Sequence, residues 1–103
     1  MIVVTIDEIP GKKAKKILGI VRGNTVRARN VGRDVMAGFK NLVGGEIKSY
    51  TELLSQSRDE AYNRMVNEAI GMKADAVVGV RFVTSMIMQG ASEISCFGTA
   101  VKF

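Results

Sequence analysis

The sequence predicts an α+β protein, with an antiparallel β-sheet that carries one short and one long helix on one face. Apolar, β-branched segments of strand length lie at both ends of the chain, and two stretches with helical spacing of apolar residues lie between them. The resulting order is strand, strand, helix, helix, strand, strand. A length of 103 residues favours a single domain over 1–103.

The N-terminal part of the chain predicts two strands. Residues 2–6 are rich in β-branched side chains and favour a short strand. Pro10-Gly11 interrupts it, and a lysine-rich loop follows. Residues 17–29 predict either a hairpin or one long strand with a bulge at Gly23-Asn24. We favour the single bulged strand.

A short helix is predicted after Asn30, which can cap its first turn. Gly44-Gly45 would end it, because glycine readily adopts the left-handed conformation found after a helix. The apolar positions with helical spacing are Val31, Val35, Met36, Phe39, Leu42 and Val43.

A long helix is predicted over residues 46–72, and it has more than one apolar stripe. The main stripe consists of Ile47, Tyr50, Leu54, Ala61, Met65, Ala69 and Met72. A second, partial stripe consists of Tyr62, Val66 and Ile70. Because one apolar face is enough to pack a helix on its own sheet, we expect the second stripe to contact a neighbouring subunit.

Two further strands are predicted at the C-terminal end, over 76–88 and 93–103, joined by a turn at 89–92. The first of them begins with an almost unbroken apolar run. Such a run is typical of a strand that is covered on both faces, at least at its start.

Composition excludes several classes of protein. The chain has no histidine, which removes the commonest catalytic base and zinc ligand. With Cys96 as the single cysteine, no intrachain disulfide can form. No apolar run is long enough for a membrane span or a signal peptide, so we expect a cytoplasmic protein without a membrane partner. No catalytic arrangement of side chains is recognisable, and we expect no enzyme.

Several segments together resemble the YbjQ-like family, whose members are often labelled putative heavy-metal-binding proteins. They cover about four fifths of the chain in the right order: Arg33-Asp34, Ala37-Gly38, Leu42-Val43-Gly44-Gly45, Tyr50, Leu54, Arg58, Ala61, the run 74–79 and the run 98–102, with 19–23 as a looser match. The resemblance implies a dodecin-like subunit and a homo-oligomeric ring of five subunits, a pentamer.

Metal ligands are scarce in this chain. The candidates are Cys96 and Glu93, gathered from several subunits of a ring, with the sulfurs of Met86 and Met88 as soft donors. A two- or four-residue hairpin loop would place Cys96 opposite Ser85, away from both methionines, whereas an odd-length loop would reverse that. The alternative is that Cys96 is a small buried apolar residue.

The polar residues in the matched motifs are candidates for a small-ligand site at a subunit boundary or for a structural hydrogen-bond network. They are Arg33, Asp34, Tyr50, Arg58 and Asp75. We favour the structural role, because buried polar groups need partners in any case. Asp75 would pair with Arg58 or cap backbone groups at the entry of a strand. Gly79 and Gly98, if paired across the hairpin, would leave a dent in the sheet for a ligand.

The charge is concentrated in one segment. Residues 11–44 carry nine lysines and arginines against Asp34 alone, although the net charge of the chain is only +5. This segment can contact phosphates, but it lacks the interleaved aromatic residues of a base-stacking surface. We therefore expect a ring-forming protein that binds a small ligand or ion at its subunit interfaces. The alternatives are a heavy-metal-binding protein and an interaction module whose basic face contacts nucleic acid or another anionic partner.

Overall fold

The structure is a computed structural model that describes residues 1–27, 45–88 and 91–103, with the side chains of 27 and 45–51 left undescribed. Its elements are β1 (Ile2–Val3), β2 (Lys16–Arg27), α1 (Gly45–Gly71), β3 (Ala76–Met88) and β4 (Ala91–Lys102). Each of these corresponds to a predicted segment, and the ends of β2, α1 and β3 agree to within two residues. The predicted short helix lies outside the described residues.

The four strands form one sheet in the order β1-β3-β4-β2. β4 is antiparallel to both β2 and β3, but β1 pairs with β3 in parallel. The prediction of an antiparallel sheet is therefore wrong at this edge, and the sheet is mixed. A short turn forces neighbouring strands to be antiparallel, whereas β1 and β3 are separated by a strand and a helix that leave the chain free to return in the same direction.

Over residues 81–86 the β3–β4 register is the one expected for the odd-length alternative, although Met88 pairs with Ala91, because the register shifts between Met86 and Met88. Cys96 lies opposite Phe82, and Glu93 lies opposite Ser85. Since directly paired residues of antiparallel strands share a face, Cys96 faces the same side as Phe82. The even-length register, with Cys96 opposite Ser85, is wrong.

Helix α1 covers one face of the sheet, mainly over β2 and β4. The core beneath it consists of Val21, Ala61, Met65, Ala69, Val77, Val80, Ile94, Cys96 and Ala100. We call this side of the sheet the helix face and the opposite side the open face. Along β2, the buried Val21, Gly23 and Thr25 alternate with exposed residues of the open face, as the two-residue period of a strand requires.

Gly23 fixes how closely the helix approaches the sheet. A Cβ atom at this position would overlap the carbonyl oxygen of Ala61 and lie 2.5 Å from the backbone nitrogen of Met65. Next to it, the Thr25 hydroxyl donates a hydrogen bond of 3.2 Å to the backbone oxygen of Ser57. The predicted bulge at Gly23-Asn24 is wrong, because β2 shifts register between Ile17 and Gly19 instead, where Gly19 has a φ of 135°.

We predict that Gly23→Ala lowers the free energy of unfolding by about 2 kcal/mol or more, because the helix backbone has to move away from the strand. Gly71→Ala is the matched control, since no atom lies within 4 Å of the added Cβ. The control should change stability by less than about 1 kcal/mol. Chemical denaturation of both variants measures the difference, and equal stabilities would contradict the close approach.

Candidate functional site

A pocket of about 730 Å³ lies between the N-terminal loop and one end of the sheet. The loop contributes Asp7, Glu8, Ile9, Gly11, Lys12, Lys13 and Ala14, and the strands and C-terminal residue contribute Ile17, Val78, Gly79, Thr99, Val101 and Phe103. Charged groups thus come from the loop, and apolar groups come mostly from the sheet. We call this space the loop pocket.

Contacts beside the loop pocket hold one of its lysines in place. The Nζ atom of Lys12 lies 5.2 Å from the centre of the Phe103 ring, a cation–π arrangement. The backbone N–H of Phe103 donates a hydrogen bond of 2.9 Å to the Asp75 carboxylate. Asp75 therefore orients Phe103, the residue that follows β4, and the ring of Phe103 in turn positions the Lys12 ammonium.

The predicted Asp75–Arg58 pair does not form. About 20 Å of helix separates Arg58 from the end of α1, at 1.5 Å per residue. The exposed Arg58 guanidinium donates instead to the Ser55 hydroxyl at 3.5 Å. Arg33 and Asp34 lie outside the described residues, as does the side chain of Tyr50, so the wider polar network stays a prediction.

The two strand glycines have different surroundings. Gly79 has a φ of 63° and lines the loop pocket, and the Asp7 carboxylate lies 3.5 Å from the place of a Cβ atom there. At Gly98, an added Cβ atom would lie 2.7 Å from Val77 and 3.1 Å from Val80. The predicted dent at Gly98 is therefore wrong, because these valine side chains fill the space.

Cys96 and Glu93 lie on opposite faces of the sheet. Cys96 is fully buried on the helix face, with its sulfur 3.5 Å from that of Met65. Glu93 follows the open-face register and accepts a hydrogen bond of 2.9 Å from the Asn24 amide. Within the described part of the chain, no three His, Cys, Asp or Glu side chains cluster in a way that suits a metal ion. The donors among the described residues of one chain thus do not form a closed heavy-metal site.

A second hollow, of about 690 Å³, lies on the open face. Its polar lining consists of Arg22, Asn24, Ser85, Glu93 and Ser95, and its apolar lining includes Ile20, Val83 and Phe97. We call it the open-face hollow. The nearby apolar residues are strongly exposed, with Ile20 at 71%.

On the side away from β4, the outer end of β3 has no strand partner among the described residues. β1 pairs with β3 only at Ala76 and Val77, and further backbone hydrogen bonds reach no farther than Val80. Beyond this point the strand carries exposed apolar side chains, namely Phe82, Val83, Met86, Ile87 and Met88. We call residues 82–88 the free β3 edge.

The second stripe of α1 divides into two parts. Tyr62 and Val66 are half-buried and pack against the core of their own subunit. Ile70 is 56% exposed. Packing within one subunit therefore accounts for two of the three residues of the stripe. The contact with another subunit stays a prediction.

The sequence does not indicate the roles of Asp7, Lys12 and Phe103. It marks Lys12 only as one charge of a lysine-rich loop, and Phe103 only as the end of a predicted strand. Gly79 carried a signal, since a glycine within a strand is typical of a bulge or a close approach. No sequence pattern indicated which loop would lie beside it.

We predict that Cys96 reacts slowly with thiol reagents in the folded protein. Burial raises the pKa of its thiol, so the reactive thiolate is disfavoured as well as shielded. The rate should rise by on the order of a hundredfold or more when the chain unfolds, since opening a buried site costs several kcal/mol. The increase in absorbance after addition of a dithionitrobenzoate reagent measures the rate of labelling. Fast labelling of the folded protein would contradict the buried position of Cys96.

The comparisons with known proteins agree with this fold. The chain is 57% identical over 102 residues to a "UPF0145 protein" of Methanoculleus marisnigri, covering 99% of this chain and 95% of that one. It is 54% identical to a "UPF0145 protein" of Archaeoglobus fulgidus, covering 99% and 94%.

A crystal structure of a protein of unknown function from Pediococcus pentosaceus, of the DUF74 family, has a TM-score of 0.64 at 18% identity and covers 100% of this chain and 97% of that one. The described helix is not long and apolar enough to cross a membrane. Residues 1–103 match the YbjQ family, described as "Putative heavy-metal-binding". The resemblance seen in the sequence is confirmed, and the chain belongs to this family.

Proposed function

We propose that this protein is a non-enzymatic homo-oligomer that binds a small ligand or ion where its subunits meet. The observation that carries the proposal is the free β3 edge. A strand edge offers a row of backbone N–H and C=O groups, and exposed apolar side chains beside it favour pairing with another strand. The chain carries a second edge, because β2 is the last strand at the other side of the sheet.

The occupant of the free β3 edge is a second copy of this chain. If the β3 edge of one copy meets the β2 edge of the next, each copy uses two different surfaces, and such a head-to-tail contact closes into a ring when the rotation fits. The family resemblance implies five subunits for this ring.

The dimensions of the chain support association. Its radius of gyration is 17.0 Å, against about 13 Å for a compact domain of this length. The long axis measures 55 Å and the other two measure 24 and 18 Å. An elongated subunit buries less of its apolar surface by itself, so contacts between subunits contribute more to its stability.

The ligand part of the proposal rests on the open-face hollow. Val83 and Ser85 of β3 lie on its border, so a strand added beside β3 would become part of its wall. Arg22 and Glu93 supply charges of both signs within it. A small polar ligand or an ion held there would lie at a subunit boundary.

The heavy-metal role has less support from the side chains. The one cysteine is fully buried, and its thiol is held in the protonated form by a raised pKa. A soft metal ion needs an accessible thiolate. We therefore base the proposal on the sheet edge and the open-face hollow.

We predict that the purified protein gives native masses that are multiples of the 11.2 kDa chain, with five copies expected, and that Met86→Lys shifts them toward the single chain. A lysine on a strand edge opposes pairing. Asn63→Lys is the control, because it adds the same charge at an exposed position of α1. A single-chain mass for the unaltered protein, or equal masses for both variants, would contradict the assembly.

We also predict that the native assembly carries a fixed mass in excess of its summed chains. Arg22→Ala should remove this excess without changing the number of subunits, because the side chain of this arginine lines the hollow, whereas strand pairing at the β2 edge uses backbone groups that the substitution retains. Arg58→Ala removes the same charge from the exposed surface of α1 and should retain it. An assembly without excess mass would contradict the ligand part and leave the assembly itself in place.

A further inference from the structure

We propose that the loop pocket is a separate binding site, for a small anion with an apolar body, such as an aromatic or aliphatic carboxylate, sulfonate or phosphate ester. The juxtaposition that carries this proposal is a positioned lysine pair above an apolar sheet surface. The site goes beyond the function proposed above, because it lies within one chain and needs no subunit boundary.

The sheet side of the loop pocket accepts an apolar group. Ile17 is 73% exposed although its neighbours in the pocket, Val78 and Val101, are wholly or partly buried. The ring of Phe103 forms another wall. Covering an exposed isoleucine and the edge of an aromatic ring removes apolar surface from water, which favours binding of a hydrocarbon group of matching size.

The volume of the loop pocket suits a small molecule. Ligand sites for small organic molecules occupy roughly 300–1,000 Å³, and 730 Å³ falls within that range. One side of the pocket is formed by a short loop that turns at Pro10-Gly11, with a φ of 77° at Gly11 and a backbone bridge between Ile9 and Lys12. This bridge holds the two lysines of the lining at a defined place on the loop.

The charge in the lining points to an anion at the loop side. Lys12 and Lys13 both line the loop pocket, and the Phe103 ring positions the Lys12 ammonium. The acidic groups of the lining are Asp7 and Glu8, and the Asp7 carboxylate lies beside Gly79. Although all four charged groups come from the loop, Lys12 lies against Phe103 whereas the Asp7 carboxylate lies against Gly79. The anionic group of a ligand therefore belongs at the lysine side, next to Phe103.

Neighbouring residues increase the positive potential at this end of the sheet. Lys16 and Lys102 lie directly opposite each other across β2 and β4, and the N–H of Lys15 donates a hydrogen bond of 2.8 Å to the Lys102 carbonyl. Since alternate residues of a strand face opposite sides, Lys102 and its partner Lys16 face away from Val101, which lines the loop pocket. These three lysines therefore act on an anion in the loop pocket only over a longer distance, which makes Lys15 and Lys16 suitable controls.

The test compares two fluorescent probes that share one ring system. Anilinonaphthalenesulfonate is an anion with an apolar body, and phenylnaphthylamine lacks the sulfonate. We expect one sulfonate probe to bind per chain, about tenfold more tightly than the uncharged probe, because a hydrogen bond to a charged group contributes about that factor. Equal affinity for the two probes would overturn the proposal, since the exposed strand edge binds any apolar molecule.

Two double variants locate the binding. Lys12→Ala with Lys13→Ala should remove the preference for the sulfonate probe, because both lysines line the loop pocket. Lys15→Ala with Lys16→Ala removes the same charge from the same segment and should leave most of the preference. Equal loss in both double variants would assign the binding to net charge and overturn the site.

A third variant tests the apolar side and does not depend on the lysines. Ile17→Asp should lower the affinity for the sulfonate probe about tenfold or more, because it removes the apolar contact and puts a charged group where the hydrocarbon body of the probe would lie. The exposed position of Ile17 allows this change without disturbing the core. Circular dichroism verifies the fold, and unchanged affinity in a folded variant would overturn the proposal. The native masses are a separate measurement. If the protein proves to be a monomer, the probes can still show binding in the loop pocket.

Discussion

The structure depends on the contact of helix α1 with strand β2 at Gly23. A helix backbone approaches a strand this closely only where the strand has no side chain, and the overlap expected for any Cβ atom shows how little space remains. This contact sets the position of the core residues below α1. Val21 and Met65 are fully buried on either side of it.

The same contact leaves one part of the sheet uncovered. Because α1 lies mainly over β2 and β4, it contacts little of β3. Phe82 is on the helix face, opposite the buried Cys96, and yet it is 48% exposed. The exposure of this side chain follows from where the helix is anchored, whereas the free β3 edge follows from the short pairing of β1 with β3.

At the other end of β3 the chain is fully paired. β1 lies parallel to it, and the N–H groups of Gly79 and Val80 donate to the carbonyl groups of Ile6 and Val4. These bonds place the loop between β1 and β2 beside Gly79 of β3, where the positive φ of this glycine turns the strand. The loop pocket arises from this arrangement, and the proposed anion site uses residues far apart in the sequence.

Most of the fold could be predicted from the residues. The apolar spacing of α1 and the β-branched runs of β2 and β3 gave elements with ends close to those observed. The parallel pairing of β1 could not be predicted, because the five β-branched residues 2–6 specify an extended segment and not its neighbour. The bulge of β2 was also misplaced, since a glycine pattern does not distinguish a bulge from a close helix approach.

The candidate sites were less accessible to sequence reasoning. The lysine-rich loop and the absence of histidine were evident in the sequence, and the loop indicated where an anion could be attracted. Cys96 and Glu93 lie three residues apart on β4, so the two-residue period of a strand separates them in any register, and the hairpin register decided only which of the two faces the helix. The sequence by itself determined the elements, the charge of the loop and the types of side chain available. Only the tertiary structure decided which faces of the sheet are covered and which side chains meet. The period of apolar side chains and the composition are local properties of the chain. Strand register, the position of the helix and the docking of the loop depend instead on contacts between residues that are distant in the sequence.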